Sequence, residues 1–392
     1  MRLEDAVNLD DLRRLAKRRL PKIAYDFIEG GVEDETGIDR NLRAFTETRL
    51  VPRYLIDVKE RDQSTELFGR RYSNPFGISP TGIAALFRRG GDLMLAEAAR
   101  DANIPFVMSG TSTASIEDLG RVAPEHGWYQ LYAARDRGIS EDMVRRAKEA
   151  GLSTLVLTVD VPVHSNRERN RRNGFSRPLK LNLTTKLEAL MHPAWLTEWL
   201  KFGTPMFPNW LPYASADATA EDVANLVAAQ TASPLTWTDV DRFRELWPGN
   251  LVIKGIMHPD DAIQAASHGV DGLVVSNHGA RQLDRAASSL EVLPAIADAV
   301  GDRMTLMLDS GVRRGSDALT ALCMGASFVF LGRATLYAAA AGGRLGVDKA
   351  VEIMRREVDL TMGQIGAPDL SVLGPDFLMW DRPFEPRRNA RP

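Results

Sequence analysis

From residue 73 onward, short apolar runs rich in β-branched residues alternate with longer amphipathic ones, and this rhythm repeats eight times. The expected strands cover 76–80, 105–109, 128–132, 154–161, 251–255, 272–277, 305–309 and 328–331. Helical patterns lie between them, for example over 141–150, 260–268 and 316–324. Runs such as LVLTVDV, LVVSN and FVFLG are nearly all apolar, as strands covered on both faces are. Eight such units predict an α/β fold, a (β/α)8 TIM barrel, whose usual length of about 250 residues suits the span from Ser73 to the last helices. An open doubly wound sheet is the weaker reading, because the repeats run without an early G-x-G-x-x-G.

Two segments break the rhythm. Residues 1–72 carry two or three short helices and a hairpin around 67–71, expected as an N-terminal helical cap on one end of the barrel. Residues 165–238 form a long insert after strand 4, far beyond an ordinary βα loop. The expected organisation is one domain over 1–380, with the cap at 1–72, the barrel at 73–164 and 239–366, and the insert or lid at 165–238. The Pro- and Arg-rich tail at 381–392 is expected to be disordered.

Composition narrows the function. The formal net charge of −3 provides no broad cationic face for nucleic acid. A single cysteine, Cys323, excludes a disulfide framework and a cysteine-rich metal site, and no metal is expected. The first residues lack a signal-peptide pattern, and no run reaches the roughly 20 apolar residues of a membrane span. The expectation is a cytoplasmic protein, soluble or seated peripherally on the inner face of the cell membrane.

In barrels of this kind the chemistry sits at the C-terminal ends of the strands. Those ends carry Pro80-Thr81-Gly82, Ser109, Gln130 and Tyr132, Thr158 and Asp160, Lys254, Ser276 and His278, Asp309 with Gly311 and Arg313, and Gly332-Arg333. Every strand contributes a polar or special-backbone residue. Lys254 follows an apolar run, so its ammonium is expected in the barrel mouth, where it needs an anionic partner. A reduced flavin, a phosphate or a Schiff-base substrate would each serve. In SNHGARQLD, His278 is suited to proton abstraction near neutral pH, and Arg281 to gripping a carboxylate through paired hydrogen bonds. Asp160 is placed to orient the imidazole. LDSGVRRGSD and FLGRATL follow strands seven and eight, where barrel loops often hold a phosphate, and together they indicate a phosphorylated ligand.

Taken together, SNHG-x-RQLD, LDSG-x-RRG and LGR closely resemble the family of FMN-dependent 2-hydroxy-acid oxidases and dehydrogenases, from AYDFIEGG to the final barrel helix. Pro80-Thr81-Gly82, the LDSG variant and HPAW at 192–195 are most similar to the (S)-mandelate dehydrogenase branch, with L-lactate dehydrogenases close by. The resemblance implies an FMN cofactor and oxidation of an (S)-2-hydroxy acid to the 2-oxo acid. His278 would be the base, Asp160 its partner, and Lys254 the stabiliser of reduced flavin. Arg167 and Arg281 would bind the substrate carboxylate, with Tyr25 and Tyr132 hydrogen-bonding the carboxylate and hydroxyl. Pro80, Thr81, Gly82, Ser109, Gln130, Thr158 and Ser276 would line the flavin, while Asp309, Gly311, Arg313, Gly332 and Arg333 would hold the ribityl chain and phosphate. The implied partners are the hydroxy acid, a quinone or oxygen as electron acceptor, and further copies of the chain in a homotetramer. Two positions depart from the commoner pattern: Ala280 replaces a second glycine after the histidine, and Gly82 stands where oxidases of the family usually carry alanine.

The insert concentrates Trp195, Trp199 and Trp210 with Phe202 and Phe207, flanked by Lys180, Lys186 and Lys201. One reading is a lid packed on the barrel. The other, also implied by the resemblance, is a membrane-contacting surface at 179–214 that includes Trp195, Trp199 and Phe202. Competing functions on the same scaffold are a peroxide-forming oxidase, a flavin-binding protein without turnover and a phosphate-sugar isomerase.

Overall fold

The computed structural model describes residues 1–175 and 183–379. The expected disordered tail at 381–392 and Lys180 of the insert lie outside them. Eight parallel strands close into a barrel in sequential order: β1 (Phe76–Ile78), β2 (Phe106–Met108), β3 (Gly127–Leu131), β4 (Thr154–Thr158), β5 (Asn250–Ile256), β6 (Gly272–Val275), β7 (Thr305–Leu308) and β8 (Phe328–Leu331). Helices between successive strands cover the outside. Several strands end earlier than their apolar runs suggest: β4 stops at Thr158 and β6 at Val275. The residues just past those points leave the ladder and turn into the mouth.

Alternation along each strand explains why the runs read as apolar throughout. Leu155, Leu157, Leu251, Ile253, Leu273 and Val275 face outward under the helices, within one large core. Val107, Trp128, Val156, Val252, Val274 and Met307 face inward and fill the barrel with a second core, together with Phe328 and Phe330. Because the side-chain period of a strand is two, the inward position two residues later falls one layer nearer the mouth. There the sequence places Ser109, Gln130, Thr158, Lys254, Ser276 and Asp309, all buried. An apolar floor therefore supports a polar ceiling on the same strands.

The N-terminal segment does not cap one end as expected; it serves both. The hairpin of Thr65–Leu67 and Arg70–Tyr72 closes the floor, where Phe68 packs on Trp128 at 5.7 Å between ring centroids. The helix Lys22–Glu29 instead reaches the mouth, where its last turn meets the loops after β6 and β8. Between helices and hairpin lies an irregular stretch, 51–64, which bonds to the end of the last long helix through Arg53 and to the segment after it through Asp62.

The insert is stitched to the barrel by its tryptophans. Trp195 is buried and donates its indole N–H to the carbonyl of Leu86 at 2.7 Å. Trp210, fully buried, donates to the carbonyl of Gly110 at 2.8 Å. Asn209 accepts from the amide of Ile116 and donates to the carbonyl of Ala114. The expectation of Trp195 on a lipid-facing surface is therefore wrong. An indole in an apolar interior needs a partner for its N–H, and here it finds one in loops of the barrel.

Candidate active site

The polar layer converges on one buried ion pair. Lys254 Nζ lies 3.1 Å from Asp309 Oδ2 and donates to Ser276 Oγ at 2.7 Å. Asp309 also accepts from Ser79 Oγ at 2.7 Å. Burial alone would push the Lys254 ammonium toward neutrality; the negative charges of Asp309 and Asp160 outweigh it and hold the pKa above its usual value. Burial pulls the Asp309 carboxyl upward, but Lys254 and two serine hydroxyls hold it below the usual range. Both groups are charged at neutral pH. A bulge at Gly255, with φ +109°, interrupts the ladder immediately after Lys254. A side chain at 255 would fall 2.6 Å from the Asp160 Cβ, so only glycine lets these two functional residues stand side by side.

His278 sits in a left-handed turn of three consecutive residues, with φ of +57° at His278, +64° at Gly279 and +58° at Ala280. Such a turn is unfavourable for side-chain-bearing residues and survives only where surroundings impose it. His278 Nδ1 lies 2.7 Å from Asp160 Oδ1, which fixes Nδ1 as the protonated nitrogen. Nε2 then faces the cavity as an acceptor, 3.4 Å from the Tyr132 hydroxyl. Burial lowers the His278 pKa, and the opposing pull of Asp160 only partly offsets this. Ala280 fits because residue 37 is glycine; a Cβ there would lie 2.8 Å from the Ala280 methyl. The methyl that departs from the family pattern is thus accommodated by a residue of the N-terminal segment.

A cavity of about 500 Å³ opens above this layer. It is lined by Pro80, Thr81, Gly82, Tyr132, Thr158, Arg167, Lys254, His278, Arg281, Asp309, Gly311, Arg313, Gly332 and Arg333. Asp160, Ser109, Gln130 and Ser276 do not line the cavity themselves; Asp160 and Ser276 bond to His278 and Lys254, which do. Arg281 donates from Nη1 to the carbonyls of Phe27 and Gly30, at 2.8 and 2.7 Å, and its guanidinium lies 4.9 Å from the Phe27 ring centroid. Arg167 donates to Gln282 Oε1 at 3.0 Å, and Gln282 in turn donates to the carbonyl of Asp160. Two arginines thus share a wall with the imidazole.

Tyr25 does not join them. It is absent from the cavity lining and its hydroxyl donates to Glu29 at 3.0 Å, beside Tyr337, which donates to the same carboxylate at 2.6 Å. Burial and the Glu29 charge push the Tyr25 hydroxyl up to about 12. Phe27, two residues on, lines the cavity instead, together with Ser79, Thr111, Gln282 and Ser310. The only sequence signal for these was their nearness to residues already singled out. Arg333 is committed further than expected: Nε, Nη1 and Nη2 donate to the carbonyls of Ile28, Gly279 and Gly30 at 2.8–2.9 Å. Three of its five N–H groups therefore lock the helix Lys22–Glu29 to the turn that bears His278.

A family model described as FMN-dependent dehydrogenase matches residues 16–380. The chain belongs to the FMN-dependent dehydrogenase family. Its relatives include the (S)-mandelate dehydrogenase of Pseudomonas putida, 41% identical over 375 residues that make up 96% of this chain and 94% of the relative. The L-lactate dehydrogenase of Caulobacter vibrioides is 38% identical over 371 residues, 94% of this chain and 96% of the relative. A crystal structure of the monotopic membrane protein (S)-mandelate dehydrogenase superposes with a TM-score of 0.92 at 41% identity, covering 96% of this chain and 99% of that one. A mandelate oxidase crystallised with (S)-4-hydroxymandelic acid superposes with a TM-score of 0.83 at 35% identity, covering 95% of this chain and 98% of that one. As a member of this family the chain is an FMN-dependent oxidoreductase acting on the CH–OH group of 2-hydroxy acids.

The residues present fit FMN. Thr81 Oγ1, Gln130 Nε2 and Thr158 Oγ1 are buried at or just behind the cavity wall and have no hydrogen-bond partner within the described residues. A planar ring edged with carbonyl and N–H groups satisfies such a set, which an apolar ligand does not. Gly311, with φ +100°, and Arg313 lead into the helix Gly315–Cys323, and Gly332 precedes Arg333–Gly342. These are the backbone and charges that a phosphomonoester requires.

The depressed His278 pKa has a measurable consequence. The imidazole stays neutral, and able to accept a proton, to a pH lower than a free histidine allows. The acid limb of kcat/KM is expected below pH 6.5, the value for an unperturbed histidine. Asp160→Asn, which removes the charge that opposes the shift, should move this limb further toward acid. A wild-type limb above 6.5 would contradict the arrangement.

Proposed function

We propose that the chain oxidises an (S)-2-hydroxy acid of mandelate-like size through His278 and passes the electrons to a quinone at a membrane surface. The observation that carries the chemistry is the His278 imidazole, protonated at Nδ1 toward Asp160 and open at Nε2 toward a cavity it shares with Arg167, Arg281 and Tyr132. In this reading the two guanidiniums bind the carboxylate and the Tyr132 hydroxyl orients the 2-hydroxyl. His278 Nε2 takes the proton, and Asp160 stabilises the imidazolium that results. FMN, when bound, supplies the two-electron acceptor for C2. Lys254, held charged by Asp309, places positive charge where negative charge develops on the cofactor. Gly82 supports the dehydrogenase reading over the oxidase. An alanine Cβ there would fall 2.2 Å from Thr111 Oγ1, so the loops after β1 and β2 are built around the glycine.

His278→Gln preserves shape and removes the base. The variant should retain FMN, while anaerobic bleaching of the flavin by (S)-mandelate slows by roughly 10²–10⁴-fold. Bleaching at near wild-type speed would remove His278 from the mechanism.

The membrane reading rests on a different set of residues from the tryptophans. Leu183, Leu187, Leu190, Met191 and Leu200 are each more than half exposed, Phe202 is exposed beside them, and Lys186 and Lys201 are exposed nearby. Among the described residues no helix is long and apolar enough to cross a membrane. This surface suits lying on one, as the monotopic (S)-mandelate dehydrogenase does. Burying three leucines contributes about 1.5 kcal/mol each. A triple Leu187→Glu, Leu190→Glu, Leu200→Glu variant should therefore stay in the supernatant with anionic vesicles that pellet the wild type, while flavin bleaching is retained. A wild type that does not co-sediment at low salt would end this reading.

A further inference from the structure

Ser310 stands between the two halves of the site. It follows Asp309 at the end of β7 and adopts φ +78°, a conformation natural to glycine and unfavourable for serine. Its neighbour Gly311 has φ +100°, so the chain turns sharply here in any case. Ser310 Oγ donates to Asp309 Oδ1 at 2.9 Å and accepts the amide N–H of Gly279 at 2.9 Å. A continuous path of bonds thus runs from the Lys254 ammonium through Asp309 and Ser310 to the backbone beside His278.

Gly279 is the centre of the left-handed turn that carries His278. Its carbonyl is held from the opposite side by Arg333 Nη1 at 2.8 Å. The His278 amide is held by Ser276 Oγ at 3.0 Å, the same hydroxyl that Lys254 reaches. Within its own loop the turn is closed by the Ala280 amide bonding to Asn277, and among the described residues the Gly279 N–H is held by the Ser310 hydroxyl, a charge-backed acceptor. A hydroxyl already donating to a carboxylate is a stronger acceptor than a free one.

We propose that Ser310 is a positioning residue that ties the turn bearing His278 to the buried Lys254–Asp309 pair and so aims His278 Nε2 into the cavity. The inference rests on the reading of His278 as the base. It makes the charge pair between β5 and the end of β7 and the imidazole after β6 a single mechanical unit. Loss of the link lets the turn relax, and misplacement of a reacting group by about 1 Å can slow a reaction roughly 10²-fold.

Two substitutions in the FMN-loaded protein separate positioning from structural support. Ser310→Gly removes the bond and also the unfavourable conformation; Ser310→Ala removes the bond and keeps the conformation. Ser310→Gly should unfold at the wild-type temperature or above and keep its FMN. Its anaerobic bleaching by (S)-mandelate should nevertheless slow roughly 10- to 100-fold at saturating substrate, with KM changed much less. Ser310→Ala should be similarly slow and melt lower. In a His278→Gln background Ser310→Gly should add little further loss. Bleaching at wild-type speed in Ser310→Gly, loss of FMN from it, or full additivity with His278→Gln would each overturn the proposal. If His278→Gln itself bleaches normally, the reading of the base has failed, whatever Ser310 does.

Discussion

The structure of the mouth depends on one buried ion pair. Lys254 and Asp309 are both almost fully covered and lie 3.1 Å apart on β5 and at the end of β7. Two charges taken out of water are tolerated only when their geometry and remaining hydrogen bonds are satisfied, and removing one partner of such a pair typically costs about 3–5 kcal/mol. Ser79 and Ser276 complete the shell, so four of the eight strand ends are tied to each other by this pair. A stabilising role alone would be served as well by apolar residues of similar volume. In the proposed function Asp309 keeps Lys254 charged and in place, so that the ammonium can face a cofactor that becomes negative.

The second constraint is the C-terminus of the helix Lys22–Glu29. Its last carbonyls have no partners within the helix, and the carbonyls of Phe27, Ile28 and Gly30 are taken by Arg281 and Arg333. A segment near the start of the chain thereby sets the position of two arginines from its second half. Arg281 is also stacked on Phe27, which rests in turn on Phe175 of the insert at 4.6 Å. Cap, barrel and insert meet at the cavity, so the mouth is assembled from parts that no single βα unit contains.

This assembly explains what the sequence made legible and what it did not. The barrel was legible because its strands are buried on both faces and its ends change abruptly from apolar to polar. The period of two then places Ser109, Gln130, Thr158, Lys254, Ser276 and Asp309 in one layer. Local reading failed where contacts span the chain. Residues 23 to 28 are all buried, so periodicity does not distinguish Tyr25, which turns to Glu29, from Phe27, which turns to the cavity. The tryptophans of the insert resembled membrane anchors because amphipathic aromatics serve lipid interfaces and protein interiors equally; the apolar surface left exposed is made of leucines, Met191 and Phe202. The room for Ala280 depends on Gly37, nearly 250 residues away, and no local pattern records that pairing.

The central claim is that this polar mouth oxidises the C2–H bond of an (S)-2-hydroxy acid. Anaerobic rapid mixing of the FMN-loaded protein with (S)-mandelate, with its 2-deuterated form and with the R enantiomer tests it most directly. The flavin absorbance should bleach with the S acid, more slowly when C2 carries deuterium, and persist with the R acid. Absence of bleaching, or bleaching indifferent to both deuterium and handedness, would contradict it.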